Sequence, residues 1–242
     1  MNPAPHSAVT VEPFGDSAVT VTISDPDPAI RRAEIARLRD CLLADRPPGV
    51  TDVVSGLESL LVEFDALATG PEQLAHATRL LALSAHATTA SARPVCRFAI
   101  PVVFDEETGP DLAPVAEEIG LAPDDIVAAI AASTFTISLL AAAMAPMMDG
   151  LRVPRPVRRR AEPRTDVAPG AIMIAGTHAI IQPFPGPTGW RVVGRTPHTI
   201  VDITRPAPVS FAPGDVVRFV PVTRAEAAGL HGSFLLPAEA QP

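Results

Sequence analysis

The chain has no lysine and no tyrosine in its 242 residues, and all 19 of its basic side chains are arginine. The missing lysine excludes a Walker-type phosphate lysine, a Schiff-base lysine and a biotinyl or lipoyl lysine on this chain. Any cationic recognition therefore falls to arginine, whose planar guanidinium suits carboxylates and phosphates. Cysteine is nearly absent too. Cys41 and Cys96 are too few for a disulfide framework or a Cys-rich metal site, and no metal site is expected. No apolar run approaches the ~20 residues of a membrane-spanning helix. The most apolar window, 126–148, is interrupted by Ser133, Thr134, Thr136, Ser138 and Pro146. The opening MNPAPHSAVTVEP has neither a basic stretch nor an apolar one, so no secretory signal is expected and the cytoplasm is the expected location. A net charge of −8 argues against nonspecific nucleic-acid binding.

What is present falls into two halves. In the first, Val9–Phe14 and Ala18–Ile23 alternate Val and Thr around Gly15-Asp16-Ser17, which reads as a hairpin. Asp25-Pro26-Asp27-Pro28 supplies a helix start, and the apolar spacing predicts a helix over 29–44 that ends at Pro47-Pro48-Gly49. Val50–Val54 and Ser59–Phe64 read as a second strand pair, and 71–85 as a second amphipathic helix. The predicted order is β-β-α-β-β-α, an α+β domain over 1–90, with a linker at 88–92.

The second half, 94–224, opens with a strand over 95–104. Helices are expected over 111–119 and 123–132, and a strand over 134–140. The run 141–148 fits either a helix or a strand. A basic, Pro-broken loop, 152–164, leads into 163–197, where Pro and Gly punctuate short apolar runs at 171–175, 179–181 and 190–193. That ladder of strands and tight turns reads as a small β-barrel. Further strands are expected near 199–202 and over 216–221. The tail 225–242 is expected to be loose, with Phe234-Leu235-Leu236 able to dock.

An ordered set of short motifs runs through the chain. It comprises Gly15-Asp16-Ser17-Ala18-Val19, Gly109-Pro110-Asp111-Leu112, Pro163-Arg164-Thr165 and Val167-Ala168-Pro169-Gly170. It continues with Ile174-Ala175-Gly176, Pro187-Thr188-Gly189-Trp190, Gly194-Arg195-Thr196-Pro197, and Pro213-Gly214-Asp215 with Val217-Arg218-Phe219. In this order they resemble the allophanate hydrolase subunit 1 family, which includes the sporulation-kinase inhibitor KipI and the B subunit of 5-oxoprolinase. The resemblance implies an α+β N-terminal domain followed by an all-β cyclophilin-like barrel domain with short helices. It implies a subunit 2 partner in a hetero-oligomeric complex, and ATP-dependent opening of 5-oxo-L-proline to glutamate. ATP would belong to the complex. An alternative from the same family is a non-catalytic, KipI-like regulatory protein that holds a sensor kinase; a third is a scaffold for its partner.

The sequence departs from the family where a G-F-x-P-G-F-x-Y-L-like run is replaced by Ala141–Asp149. A family Gln is replaced by His178 and a family Tyr by Gln182. The bland reading of each candidate stands beside the functional one. His178 is a candidate general base or a satisfied surface histidine; His198 reads more readily as the latter. Arg159, Arg164 and Arg195 with Thr196 are candidate ligand contacts for a small-molecule amide, or partners of the protein's own carboxylates. Trp190 is a ligand-stacking wall or a core anchor. Asp111 and Asp166 read as caps. Together Arg159, Arg164, His178 and Arg195 are expected to line one barrel cleft.

Overall fold

The computed structural model describes residues 8–87 and 94–238, so the predicted linker at 88–92 lies outside the described residues. The chain divides into two compact units, Met1–Pro94 and Val95–Pro242.

In the first unit β1 (Ala8–Pro13), β2 (Ala18–Ser24), α1 (Pro28–Ala44), β3 (Val50–Ser55), β4 (Ser59–Phe64) and α2 (Pro71–Ala87) follow the predicted order. The strands form an antiparallel sheet in the order β1-β2-β4-β3. Gly15 takes a positive φ of 67° at the β1–β2 turn, which glycine adopts without the Cβ clash of other residues. Strand alternation puts Val19 and Val21 fully inside, with Leu60 and Val62 beside them from β4. Helical spacing puts Ile35, Leu38 and Leu42 of α1, and Leu74, Ala75 and Ala82 of α2, into the same core.

The second unit is built on β5 (Arg97–Val102), β6 (Phe135–Leu140), β7 (Pro146–Asp149), β9 (Ala171–Ala175), β10 (His178–Ile181), β12 (Arg191–Arg195) and β13 (Val216–Pro221). These run in the order β12-β9-β10-β7-β6-β13-β5, and β8 (Arg164–Val167) and β11 (Gly186–Thr188) form a separate two-stranded ribbon. The seven-stranded sheet nearly closes on itself. Just past β5, Val103 pairs with Arg195 at the end of β12 through N–H···O bonds of 2.9 and 3.0 Å. The interior is apolar, and Phe135 and Phe219 meet edge to face at 5.1 Å between ring centres. Helices α3 (Leu112–Ile119) and α4 (Pro123–Ala132) add Val115, Ile119, Ile126 and Ile130 to this core.

Several family-like motifs now have physical reasons. At Gly109 a Cβ would stand 2.2 Å from the Val193 carbonyl oxygen, so only glycine allows that approach. Asp215, wholly buried, accepts 2.8 Å hydrogen bonds from the Cys96 and Ala212 amides and thereby ties the Pro213-Gly214-Asp215 turn to the entry of β5.

The run 141–148 resolves into a 3-10 turn, Ala142–Met144, followed by β7. Ala143 and Met144 both have positive φ, 56° and 62°. The Ala145 amide donates back to the Ala142 carbonyl at 3.2 Å. Two central residues with positive φ are the mark of a tight hairpin turn that favours glycine. The turn conformation is therefore carried by alanine and methionine.

The strand expected near 199–202 reduces to a single bridge between Thr199 and Phe234. The segment after 225, expected to be loose, is folded through its described part. It forms α5 (Arg224–Ala228), buries Leu235 and donates the Ala238 amide to the Arg97 carbonyl at 2.8 Å.

Candidate functional site

Pro183, just past β10, and four further chain segments converge on one cavity of about 430 Å³ in the second unit. The four are the turn after β5, the β8–β9 turn, the stretch from Arg195 to Ile200 that runs out of β12, and α5 with the turn that follows it. Gly170 sits at the hinge of the β8–β9 turn with φ +79°, and a Cβ there would stand 2.5 Å from the Thr196 carbonyl oxygen. The Thr196 amide donates to the Gly170 carbonyl at 2.9 Å. The cavity wall is thus fixed by backbone contacts, and side chains are left to face the opening.

Two arginines line the cavity, and they differ. Arg224 is engaged: its Nε donates to Asp105 Oδ2 and its Nη1 to Glu107 Oε2, each at 2.6 Å. The Arg224 hydrogen bond, set against desolvation and helped by Thr108, lowers the Asp105 carboxyl to about 2. Arg195 has both backbone groups in the barrel closure, but its guanidinium makes no hydrogen bond or ion pair to any described residue. An unpaired, half-buried guanidinium in a concavity is a ready partner for a carboxylate or phosphate.

His198, which the sequence reads more readily as a satisfied histidine, also lines the cavity. Its Nδ1 lies 2.8 Å from the Ser233 hydroxyl and 3.2 Å from the Ser233 carbonyl. Ser233 belongs to the segment expected to be loose, and no local motif marks either residue.

The other candidates lie elsewhere and are not among the cavity's lining residues. Arg164 is bound to Asp111: its Nη2 donates to Oδ1 at 2.9 Å and its Nε to Oδ2 at 3.2 Å. Arg160 adds a 2.5 Å contact to Oδ1, and the Val192 amide donates to Oδ2 at 2.9 Å. Asp111 is only 1% exposed. Burial pushes its carboxyl up, but the Arg164, Val192 and Arg160 contacts outweigh that, and its net pKa is lowered from 3.8. Asp111 occupies the residue before α3 without capping the helix through its side chain; it anchors the basic loop. Glu118 does the same for Arg158 and Arg191, accepting the Arg158 amide at 2.8 Å and Arg191 Nη2 at 3.0 Å.

Arg159 is exposed, with its guanidinium beside Gly189. Trp190 packs on a small cluster of Val167, Ala171, Met173 and Val192, outside the main core. His178 starts β10 opposite Asp149 of β7, with its Nε2 2.7 Å from Asp149 Oδ1. The approach lacks hydrogen-bond alignment, so that buried nitrogen has no hydrogen-bond partner. Asp149 also accepts a very short hydrogen bond from Ser138, the unpaired residue at a bulge between β6 and β7. His178 stands at the start of β10, and Pro183, two residues past the far end of that strand, is its nearest neighbour in sequence at the cavity wall. The structure thus brings Arg195 and Thr196 together and leaves Arg159, Arg164, Trp190 and His178 outside. Among the described residues no group of three or more His, Cys, Asp or Glu side chains can hold a metal ion, and no helix is long and apolar enough to cross a membrane.

A nearly closed β sheet with a concavity at its seam, lined among the described residues by one arginine whose guanidinium has no partner, is the architecture of a barrel-like β domain. More specifically, the chain belongs to the family described as carboxyltransferase domain, subdomain C and D, whose model matches residues 9–211. It is 30% identical to the B subunit of 5-oxoprolinase from Escherichia coli O157:H7 over 210 residues, covering 86% of this chain and 94% of that protein. The crystal structure of TTHA0988 superposes with a TM-score of 0.71 at 26% identity, covering 85% of this chain and 40% of that one. The Kluyveromyces lactis urea carboxylase gives a TM-score of 0.73 at 19% identity over 93% of this chain and 23% of that one, a likeness of fold.

Proposed function

We propose that the chain is a subunit of an amidohydrolase-type complex of the 5-oxoprolinase kind, and that its cavity binds the substrate, 5-oxo-L-proline. The observation that carries this is the unpaired Arg195 guanidinium in a concavity of small-molecule size. At neutral pH the substrate is a five-membered cyclic amide bearing one carboxylate, and the carboxylate is the group a bidentate arginine holds best. Thr196 shapes the wall beside it. The same reading is supported by the name of the Escherichia coli relative, a 5-oxoprolinase component that this chain matches almost end to end.

ATP, when bound by the complex, would supply the driving force for opening the stable ring. The cavity is a poor fit for a triphosphate, because Arg224 is already paired with two carboxylates and Arg195 is the one arginine of the lining left free. Nucleotide binding is therefore assigned to the partner subunits, and this chain holds and orients the acid. The barrel that carries the cavity is, on the same reading, cyclophilin-like.

The test is 5-oxo-L-proline-dependent ATP hydrolysis by the chain mixed with its partner subunits. Turnover in the mixture that is lost with Arg195→Ala supports the reading. Stable assembly with no turnover in the wild type contradicts it and favours a regulatory role.

A further inference from the structure

His198, on the cavity wall, is joined to Ser233 by a hydrogen-bond chain. The Ser233 hydroxyl has one proton, and it donates that proton to the Leu230 carbonyl at 2.5 Å. The hydroxyl oxygen, 2.8 Å from His198 Nδ1, is thereby left as an acceptor toward the ring. The Ser233 carbonyl, 3.2 Å from the same nitrogen, can only accept. With the hydroxyl proton on the Leu230 carbonyl, both neighbours match an Nδ1 that carries the proton. In the neutral imidazole the other nitrogen, Nε2, is then an obligatory acceptor. Nε2 makes no hydrogen bond to any described residue, and His198 lines the cavity wall that also holds Arg195.

We infer that His198 is a specificity-determining residue. Its Nε2 accepts a hydrogen bond from an N–H of the ligand whose carboxylate is held by Arg195, and Ser233 is the positioning residue that sets the tautomer. The ligand class is a cyclic amide acid, with the ring N–H one bond from the carbon that bears the carboxylate. The oxygen-ring lactone of the same shape offers a lone pair where the amide offers a proton, so it meets the Nε2 lone pair unfavourably. A site that presents a fixed acceptor discriminates between two such isosteres through the contact left unmade. The role of His198 rests on the proposed substrate, and it adds the group that reads the ring atom.

Two measurements test it. The first is the ¹⁵N shifts of the imidazole nitrogens in the full chain, recorded at a pH where His198 is neutral. The expected result is a protonated Nδ1 and a bare Nε2, with the preference reduced in Ser233→Ala. A protonated Nε2 in the wild type overturns the inference. The second is calorimetric binding of 5-oxo-L-proline and of its lactone analogue to the chain assembled with its partner subunits. The wild type is expected to favour the amide about tenfold, His198→Ala to lose that preference, and His198→Gln, which restores an acceptor, to recover part of it. Equal affinity of the wild type for both compounds overturns the role of His198. If the wild type binds neither compound, the proposed substrate falls and the selection falls with it, while the nitrogen shifts still decide the tautomer.

Discussion

Two regions of the second unit use arginine in opposite ways. In the loop 152–164, Arg160 and Arg164 converge on Asp111, and Arg158 shares Glu118 with Arg191 of β12. These carboxylates are buried, and a buried charge with one partner removed is strongly destabilising. The loop's cations are therefore part of the fold. At the cavity, Arg195 has no anion to satisfy among the described residues, and its backbone, held in the barrel closure, fixes where the guanidinium starts. The same residue type is structural where the protein supplies the counter-charge and available for a ligand where it does not.

The largest effect expected from this contrast is at the loop's anchor. Asp111→Ala leaves two guanidinium groups and the Val192 amide without their acceptor, and is expected to cost about 3–5 kcal/mol in a urea titration of the full chain. The same anchor sets an acid limit. The folded-state pKa of Asp111 lies below its ordinary 3.8. Its contribution is thus complete above that value and is lost as the pH falls through the lower, folded pKa. Glu118, whose carboxyl is also lowered by its arginines despite burial, shifts stability in the same direction. Unfolding midpoints measured from pH 6 down to pH 2 are expected to fall steeply in the wild type, and less so in Asp111→Asn.

Arg195→Ala is the next largest effect, and it is of a different kind. Turnover of the assembled complex is expected to drop about 100-fold, equivalent to about 2.7 kcal/mol, while the unfolding midpoint stays within error of the wild type. The smallest effect sharpens the contrast from outside both regions. Ala143 has φ 56° in the β6–β7 turn, a conformation that costs an L-residue about 1–2 kcal/mol. Ala143→Gly is expected to stabilise the protein by somewhat under that, about 1 kcal/mol after the added chain entropy of glycine. A loss of stability would show that the alanine methyl packs usefully.

Much of the scaffold was legible because local chemistry decided it. Alternating Val and Thr around Gly15 gave the first hairpin, and the 3–4 spacing of Ile35, Leu38 and Leu42 marked the buried face of α1. The run 141–148 was not legible. Its left-handed pair, Ala143 and Met144, carries no residue that announces such a turn. The cavity was half legible. Arg195 and Thr196 stood out within a turn-rich motif, but whether an arginine is free depends on carboxylates far away in sequence. Arg164 finds Asp111 across 53 residues. His198 finds Ser233 across 35, in a segment whose composition suggested a loose tail. Pairing at that range is a property of the fold.

The division between structural and available arginines is put to its sharpest test by substrate-dependent ATP hydrolysis. The assembled complex would carry Arg195→Ala or Arg164→Ala, each rate normalised to the folded fraction. Arg195→Ala is expected to fold like the wild type and be nearly inactive, whereas Arg164→Ala is expected to be less stable but to keep wild-type turnover per folded molecule. An inactive, fully folded Arg164→Ala beside an active Arg195→Ala would contradict that division and move the ligand site to the basic loop.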